Sequence, residues 1–191
     1  SEAEGKTAPA KKSSVKSADP DVKYVEDYKV LDYTEEATGI STPEVINTPA
    51  QFENSESSKK AEAESSARTK NLPYDGVLKE GLDLIDNGKY TEAIEKLNLI
   101  LMNNPADLNA TFYSGIAWYN LGNYDKALTN FIAVTSSANS VFYDEGSWYK
   151  ALTYQRKNET LKAQTLFREI STRENFYKKR ASEMLDEMEK K

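Results

Sequence analysis

Cysteine and histidine are both absent from this chain of 191 residues. Their absence excludes disulfides, thiolate nucleophiles, histidine general bases and the common zinc sites. Acidic residues outnumber basic ones by 31 to 25, and a net charge of −6 does not supply the positive surface that nucleic acids require. Apolar runs of about 18 residues, as a membrane-spanning helix needs, are also missing. We therefore expect a non-enzymatic protein without catalytic residues, cofactor or metal, which binds no nucleic acid and does not insert directly into a membrane.

Aromatic side chains are distributed unevenly. Residues 1–70 hold only four of them, Tyr24, Tyr28, Tyr33 and Phe52, whereas residues 71–191 hold the other sixteen. The stretches at 1–21 and 55–70 are rich in Ser, Ala, Lys and Glu, and such segments bury too little apolar surface to offset the entropy of ordering the backbone. The composition predicts a low-complexity, largely disordered arm or linker at 1–70, followed by a folded domain at 71–191.

Residues 22–52 differ from the rest of the arm because they include the apolar stretch YVEDYKVLDY. Its apolar positions follow no helical or strand period long enough to fold alone. Two interpretations remain open. The segment is either a slightly hydrophobic linker or a segment that becomes ordered only when it docks against something else.

From Leu72 onward, apolar residues recur at spacings of three and four, which is typical of amphipathic helices. The short oxygen-bearing side chains of Asp107, Thr160 and Asn175 are candidate N-caps, and Pro105 is a stop signal after the second helix. The pattern predicts seven helices, at 74–87, 90–103, 107–121, 124–137, 142–157, 160–173 and 176–189.

A repeat of 34 residues runs through this helical part. Five pairs of identical or similar residues coincide at that offset: Gly81 and Gly115, Gly88 and Gly122, Tyr90 and Tyr124, Ala93 and Ala127, and Leu97 and Phe131. A more diverged copy contains Ala151, Tyr154, Asn158, Ala163, Phe167 and Ile170 at an offset of 36, which indicates a two-residue insertion near 136–143. Small residues at Gly81, Gly115 and Ala151 would let paired helices approach closely, and Gly88 and Gly122 suit a turn with positive φ. Large residues would then fill the space between the helices: Leu84, Trp118, Tyr154, Leu97, Phe131 and Phe167.

On these residues the chain resembles the tetratricopeptide repeat (TPR) family. The first repeat follows the family pattern with Gly81, Leu84, Gly88, Tyr90, Ala93, Leu97 and Pro105, and the second with Gly115, Trp118, Gly122, Tyr124, Ala127 and Phe131. The second has Asn139 in place of the closing proline, and the third replaces both glycines and the tyrosine with Ala151, Asn158 and Thr160. The resemblance implies an all-α, TPR-like α-solenoid of three helix-turn-helix repeats plus a C-terminal capping helix, whose apolar face carries Ala181, Met184, Leu185 and Met188.

The same resemblance implies a concave groove lined by the first helix of each repeat. The predicted partner-binding residues are mostly apolar or aromatic: Leu78, Leu82, Asn109, Phe112, Tyr113, Ile116, Tyr119, Trp148, Tyr149 and Leu152, with Glu145 and Gln155 beside them. The basic clamp with which some TPR proteins bind a terminal carboxylate is missing, because its places carry Leu78, Leu82, Tyr113, Glu145 and Tyr149. The expected ligand is a protein or peptide segment with apolar side chains. The alternative is that about half of these aromatics pack between repeats or under the insertion.

Two further expectations concern the ligand and the location. Residues 24–33, from Tyr24 to Tyr33, could occupy the groove in cis or from a second molecule, since a tether supplies a high effective concentration. The C-terminal repeat is similar in pattern to bacterial membrane-anchored periplasmic TPR proteins, which implies an adaptor or scaffold of an envelope assembly. The alternatives are the ectodomain of a membrane-anchored regulatory or sensory protein, and a cytoplasmic location.

Overall fold

The computed structural model describes residues 22–25, 28–31, 40–43, 69–136 and 140–190. These residues form seven helices and four short strands, joined by turns. The strands are β1 (Val22–Val25), β2 (Tyr28–Leu31), β3 (Ile40–Pro43) and β4 (Thr69–Leu72). The helices are α1 (Tyr74–Asp86), α2 (Tyr90–Asn103), α3 (Leu108–Asn120), α4 (Tyr124–Val134), α5 (Tyr143–Arg156), α6 (Thr160–Thr172) and α7 (Lys178–Glu189). All seven predicted helices are confirmed.

The helices pack as three antiparallel pairs followed by a capping helix. Helix α1 contacts α2, α3 contacts α4, and α5 contacts α6, while α7 packs on α6. The second helix of each pair contacts the first helix of the next, and α3 also contacts α1 and α5. The first helices of the three pairs therefore form one continuous surface, which we call the inner face. The predicted all-α solenoid is confirmed.

The turns inside the three pairs share one backbone conformation. Gly88, Gly122 and Asn158 have φ values of 72°, 76° and 60°. In each turn the residue that follows donates its amide to a carbonyl five positions earlier, as Lys89 does to Leu84 at 2.8 Å. Glycine adopts this left-handed conformation without strain, and asparagine tolerates it better than most residues. The turn is therefore the same in the third repeat, although its glycine has been replaced.

Replacement of Gly122 by alanine is expected to lower the free energy of unfolding by about 1 kcal/mol, because a Cβ is strained at positive φ. Apart from its chain neighbours, no heavy atom of the described residues lies within 4 Å of the Cβ that would be added, so the loss would come from the backbone and not from a clash. Denaturant unfolding followed by circular dichroism measures it. Asn158→Gly is the control and should change stability by less than about 0.5 kcal/mol. Equal losses in both variants would contradict the prediction.

Two glycines allow the paired helices to approach closely. A Cβ on Gly81 would lie 2.9 Å from Cδ2 of Leu97, and one on Gly115 would lie 2.7 Å from Cε1 of Phe131. Both distances are too short for real contacts, so the predicted role of these small residues is confirmed. Gly146 has the same role between α4 and α5, where a Cβ would lie 2.8 Å from Val134 Cγ2, and the repeat alignment did not single it out.

One of the three predicted helix caps is confirmed. The side chain of Asp107 accepts from the Ala110 amide at 2.7 Å and caps α3. Thr160 is wrong as a cap, because it is the first residue of α6 and Glu159 stands at the cap position without a side-chain bond. Asn175 is also wrong, since Tyr177 precedes α7; its side chain instead accepts from the Tyr177 amide at 2.8 Å in the preceding turn.

Large side chains fill the space between helices as predicted, but to different depths. Leu97, Phe131 and Phe167 are fully buried at 0% exposure. Leu84, Trp118 and Tyr154 are only partly buried, at the edge of the core. Lys126 lies 4.0 Å from the ring centre of Trp118, and Lys162 lies 5.1 Å from that of Tyr154. The predicted apolar face of α7 packs against the core through four residues: Ala181, Met184, Leu185 and Met188.

The N-terminal part contains two antiparallel strand pairs, which the sequence analysis did not predict. Strand β1 pairs with β2, and β3 pairs with β4 immediately before α1. An isolated pair of four-residue strands is marginal in water, and burial against helices supplies what it lacks. Three side chains of this part are buried to 3% exposure or less: Tyr28, Val30 and Ile40. Tyr33 and Phe52, which the sequence analysis also noted, lie outside the described residues.

Candidate binding site on the inner face

Strand β2 lies on the inner face against α3. The side chains of Tyr28 and Val30 are 1% and 0% exposed, whereas Lys29 and Leu31 between and after them are half-buried. The rings of Tyr28 and of Tyr113 on α3 pack edge to face, with centroids 5.4 Å apart and planes at 88°. Alternation of this kind is typical of a strand that buries one of its two faces.

Two side chains of α3 bind the main chain of β2. The amide group of Asn109 accepts from the Leu31 N–H at 2.7 Å and donates to the Leu31 carbonyl at 2.9 Å. The Tyr113 hydroxyl donates to the Lys29 carbonyl. Lys29 and Leu31 are two residues apart, so their main-chain groups lie on the same edge of the strand. Asn109 and Tyr113 therefore take the place of a neighbouring strand along this edge.

A buried network holds the Asn109 amide in position. Its nitrogen also donates to the Tyr74 hydroxyl at 2.8 Å, and that hydroxyl donates to the Asp107 carboxylate at 3.0 Å. The other Asp107 oxygen accepts from the Ala110 amide. Burial raises the pKa of Asp107 above its ordinary value of 3.8, although these hydrogen bonds act in the opposite direction. Both hydrogens of the Asn109 amide nitrogen are used, so its oxygen must face the strand N–H.

Polar side chains of β2 reach the helices on either side of α3. The Tyr28 hydroxyl donates to Oδ1 of Asp86 on α1 at 2.6 Å, and burial is the main reason that its pKa is raised. Lys29 Nζ lies 3.0 Å from Oε1 of Glu145 on α5 and also donates to the Val141 carbonyl. All three first helices thus contribute a polar group to this strand. We call the groups that bind β2 the strand site: Asp86, Asn109, Tyr113, the Val141 carbonyl and Glu145.

The structure buries every one of the ten predicted partner-binding residues to 7% exposure or less. It places Asn109 and Tyr113 in direct contact with β2. Of the two neighbours predicted beside them, Glu145 also contacts the strand, and Gln155 is half-buried. The others belong to the buried hydrophobic core, which also includes Tyr28 and Val30 of β2: Leu78, Leu82, Phe112, Ile116, Tyr119, Trp148, Tyr149 and Leu152. A role for these residues in partner binding stays a prediction.

Two of these aromatics pack between elements of the solenoid. Phe112 stacks on Phe142 with centroids 4.5 Å apart and packs edge to face with Tyr113 at a centroid distance of 5.1 Å. Trp148 stacks on Tyr177, near the start of α7, with centroids 5.2 Å apart and planes at 12°. The alternative that some aromatics pack between repeats describes these two.

Sequence reasoning missed several residues of the site. Val141 and Phe142 lie in the connection between α4 and α5, where the change in repeat spacing indicated an insertion. Phe142 is fully buried, and Lys29 Nζ lies 5.9 Å from its ring centre. The insertion therefore forms one wall of the strand site, and the spacing anomaly was the signal that could have pointed to it. Asp86 lies at the last position of α1 and carried no signal in the sequence.

Membrane-spanning helices and metal-binding clusters are both missing from the part of the chain that the structure describes. No helix in that part is both long enough and apolar enough to cross a lipid bilayer. The same residues contain no group of three or more acidic side chains arranged to hold a metal ion. The polar groups of the strand site, in contrast, all bind one element, β2.

Comparison with known proteins gives similarity to solved structures. No protein-family model matches the chain, and no curated protein matches it. A solved structure to which it is similar is the type III secretion translocator chaperone SycD of Yersinia enterocolitica, with a TM-score of 0.53 and 16% sequence identity over 60% of this chain and 82% of SycD. At this identity the likeness concerns the fold. Together with the three helix pairs and the capping helix, it supports a TPR-like helical repeat fold for this chain.

Proposed function

We propose that the inner face binds an extended segment of a partner protein, and that β2 occupies the same site within the chain. The observation that carries the proposal is the pair of hydrogen bonds between Asn109 and both main-chain groups of Leu31. Main-chain groups are common to all extended segments, so a site that binds them accepts a strand from any source whose side chains fit. The proposed role is that of a protein-binding scaffold without catalysis.

Side-chain contacts give the proposed site its apolar character. Tyr28 and Val30 are buried against the helices, and Tyr28 adds an edge-to-face contact with Tyr113. A partner segment would therefore present an aromatic residue and a β-branched residue two positions apart on one face. This agrees with the predicted preference for apolar side chains and limits the aromatic contact to the Tyr28 position.

The tether explains how β2 could act as an intramolecular competitor. Residues 32–39 join β2 to β3, and Ile40 of β3 is 3% exposed. A tether of this length gives the strand an effective concentration on the order of mM at its site. A free partner segment must exceed this competition, so the proposed scaffold binds weakly until the strand is displaced. The proposal includes the bacterial envelope location that the sequence resemblance implies.

Release of β2 is expected to let the site bind the same sequence in trans. The test uses the full chain carrying Val30→Asp, which places a charge in the apolar contact, and a fluorescent peptide of residues 22–33. Fluorescence anisotropy should show binding at micromolar peptide to the variant and not to the unmodified chain, because the tethered strand has an effective concentration on the order of mM. Adding Tyr113→Phe, which removes one hydroxyl, should weaken peptide binding to the released protein.

A second measurement covers the case in which Val30→Asp unfolds the protein. In the unmodified chain, a large excess of unlabelled peptide should accelerate hydrogen exchange at the Leu31 amide, because exchange follows displacement from Asn109. Circular dichroism establishes whether the variant is folded. A folded variant that binds no peptide, or unchanged Leu31 exchange under excess peptide, would overturn the proposed function.

A further inference from the structure

One part of the strand site recognises a positive charge. Lys29 Nζ lies 3.0 Å from Oε1 of Glu145, and the side chains of the pair are 21% and 14% exposed. The same nitrogen donates to the Val141 carbonyl and lies 5.9 Å from the ring centre of Phe142. We call Glu145, the Val141 carbonyl and the Phe142 ring the basic subsite. An ion pair this well shielded from water depends on the partner charge being present.

Lysine satisfies the basic subsite incompletely. The second oxygen of Glu145, Oε2, is buried and accepts no hydrogen bond from any residue that the structure describes. A buried carboxylate oxygen without a donor is unfavourable, and native proteins rarely leave one so. The ammonium group presents its donors from a single point, and Lys29 already directs them to Oε1 and to the Val141 carbonyl. The subsite therefore has one acceptor more than this lysine reaches.

Two buried phenols, those of Tyr113 and Tyr177, interact electrostatically with Glu145. Burial is the main cause that raises the pKa of both Tyr113 and Tyr177, and the Glu145 charge raises them further. Both remain neutral at physiological pH. Lys29 is therefore the basic group that the structure places in an ion pair with Glu145.

We propose that the basic subsite selects a partner segment with arginine between an aromatic residue and a β-branched residue, and that Lys29 of β2 is its weaker intramolecular substitute. A guanidinium carries five donors in a planar fork that can meet both oxygens of one carboxylate. The aromatic and β-branched residues correspond to the buried Tyr28 and Val30. This inference rests on the proposed function and names the chemistry of the ligand.

The test compares three peptides of residues 22–33 on the arm-released full chain carrying Val30→Asp. They carry the native Lys29, Lys29→Arg or Lys29→Gln. The arginine peptide should bind about 3–10 times more tightly than the lysine peptide, and the glutamine peptide about 10 times more weakly, since bidentate charged pairs are stronger than single ones. Adding Glu145→Gln to the protein should reduce the difference between arginine and glutamine peptides to about 2-fold or less, because the carboxylate charge is gone.

Other outcomes separate the two proposals. Equal binding of all three peptides would overturn the basic subsite and leave the proposed function standing. An arginine peptide that binds no better than lysine would overturn the arginine preference. If no peptide binds the folded variant, the proposed function itself fails.

A second experiment needs no release of β2. In the full chain, Lys29→Arg should slow hydrogen exchange at the Leu31 amide by about 3-fold or more, and Lys29→Gln should accelerate it about 10-fold, since the side chain at 29 holds the strand. Exchange at the Glu159 amide in the third turn, which is bonded to the Tyr154 carbonyl at 2.9 Å, serves as the internal reference. Equal Leu31 exchange in all three chains would overturn the inference.

Discussion

Replacement of Phe112 by alanine is expected to lower the free energy of unfolding by about 3–5 kcal/mol. Phe112 is 1% exposed and packs on Phe142, Phe131 and Tyr149, whose ring centres lie 4.5, 6.1 and 6.1 Å away. Its neighbours come from three different elements, so the space left by the ring cannot close by a shift of one of them. Chemical denaturation followed by circular dichroism measures the loss.

Phe176→Ala is the matched control, because its side chain is 72% exposed. It should change the free energy of unfolding by about 0.5 kcal/mol or less. A Phe112 variant as stable as this control would show that the ring is not a core residue.

Asn109→Ala is expected to lower the free energy of unfolding by about 2–3 kcal/mol, because it removes three hydrogen bonds worth about 1 kcal/mol each. Two of these bonds reach Leu31 and the third reaches the Tyr74 hydroxyl. The effect should be concentrated in β2. Hydrogen exchange at the Leu31 amide should accelerate by more than about 10-fold, since its acceptor is gone.

Asn120→Ala is the control for this prediction, since Asn120 lies on the same helix and donates only within it, to the Ile116 carbonyl at 2.8 Å. It should leave Leu31 exchange unchanged. If Asn109→Ala and Asn120→Ala had the same effect on Leu31, the amide of Asn109 would not be what holds the strand.

The helical repeat could be predicted well because its signals are local. Gly88 and Gly122 mark turns by a conformational preference of a single residue, and the spacing of three and four reports one helix at a time. Gly115 and Phe131, sixteen residues apart in one repeat, could be paired from the alignment alone. The small residue and the large one recur together because close helix packing requires both.

The helix starts were less predictable than the turns. Thr160 has a suitable side chain for an N-cap, but the turn after Asn158 begins the helix one residue earlier than that role requires. A capping side chain contributes about 1 kcal/mol, which is less than the free energy that packing of the helix pair contributes. Tertiary contacts therefore set the register at these ends.

The strand site shows where local signals stop. Lys29 and Glu145 are 116 residues apart in the chain, and Leu31 and Asn109 are 78 apart. The sequence suggested that the apolar stretch around Tyr28 needs a surface to dock on. It also predicted Asn109 and Tyr113 as residues that line a binding surface. It did not indicate strands, because four residues with two buried side chains carry too little periodicity to distinguish a strand from a linker.

By itself, the sequence determined the seven helices, their turns and the close-packed pairs, because each follows from residue preferences within one repeat. Only the tertiary structure decided which aromatics form the core and which side chains meet β2. Phe112 and Tyr113 are adjacent in the sequence, yet the first packs on Phe142 and the second donates to the Lys29 carbonyl. The helix rotation that separates their roles is set by the sum of contacts with elements distant in the chain, and no local pattern records that sum.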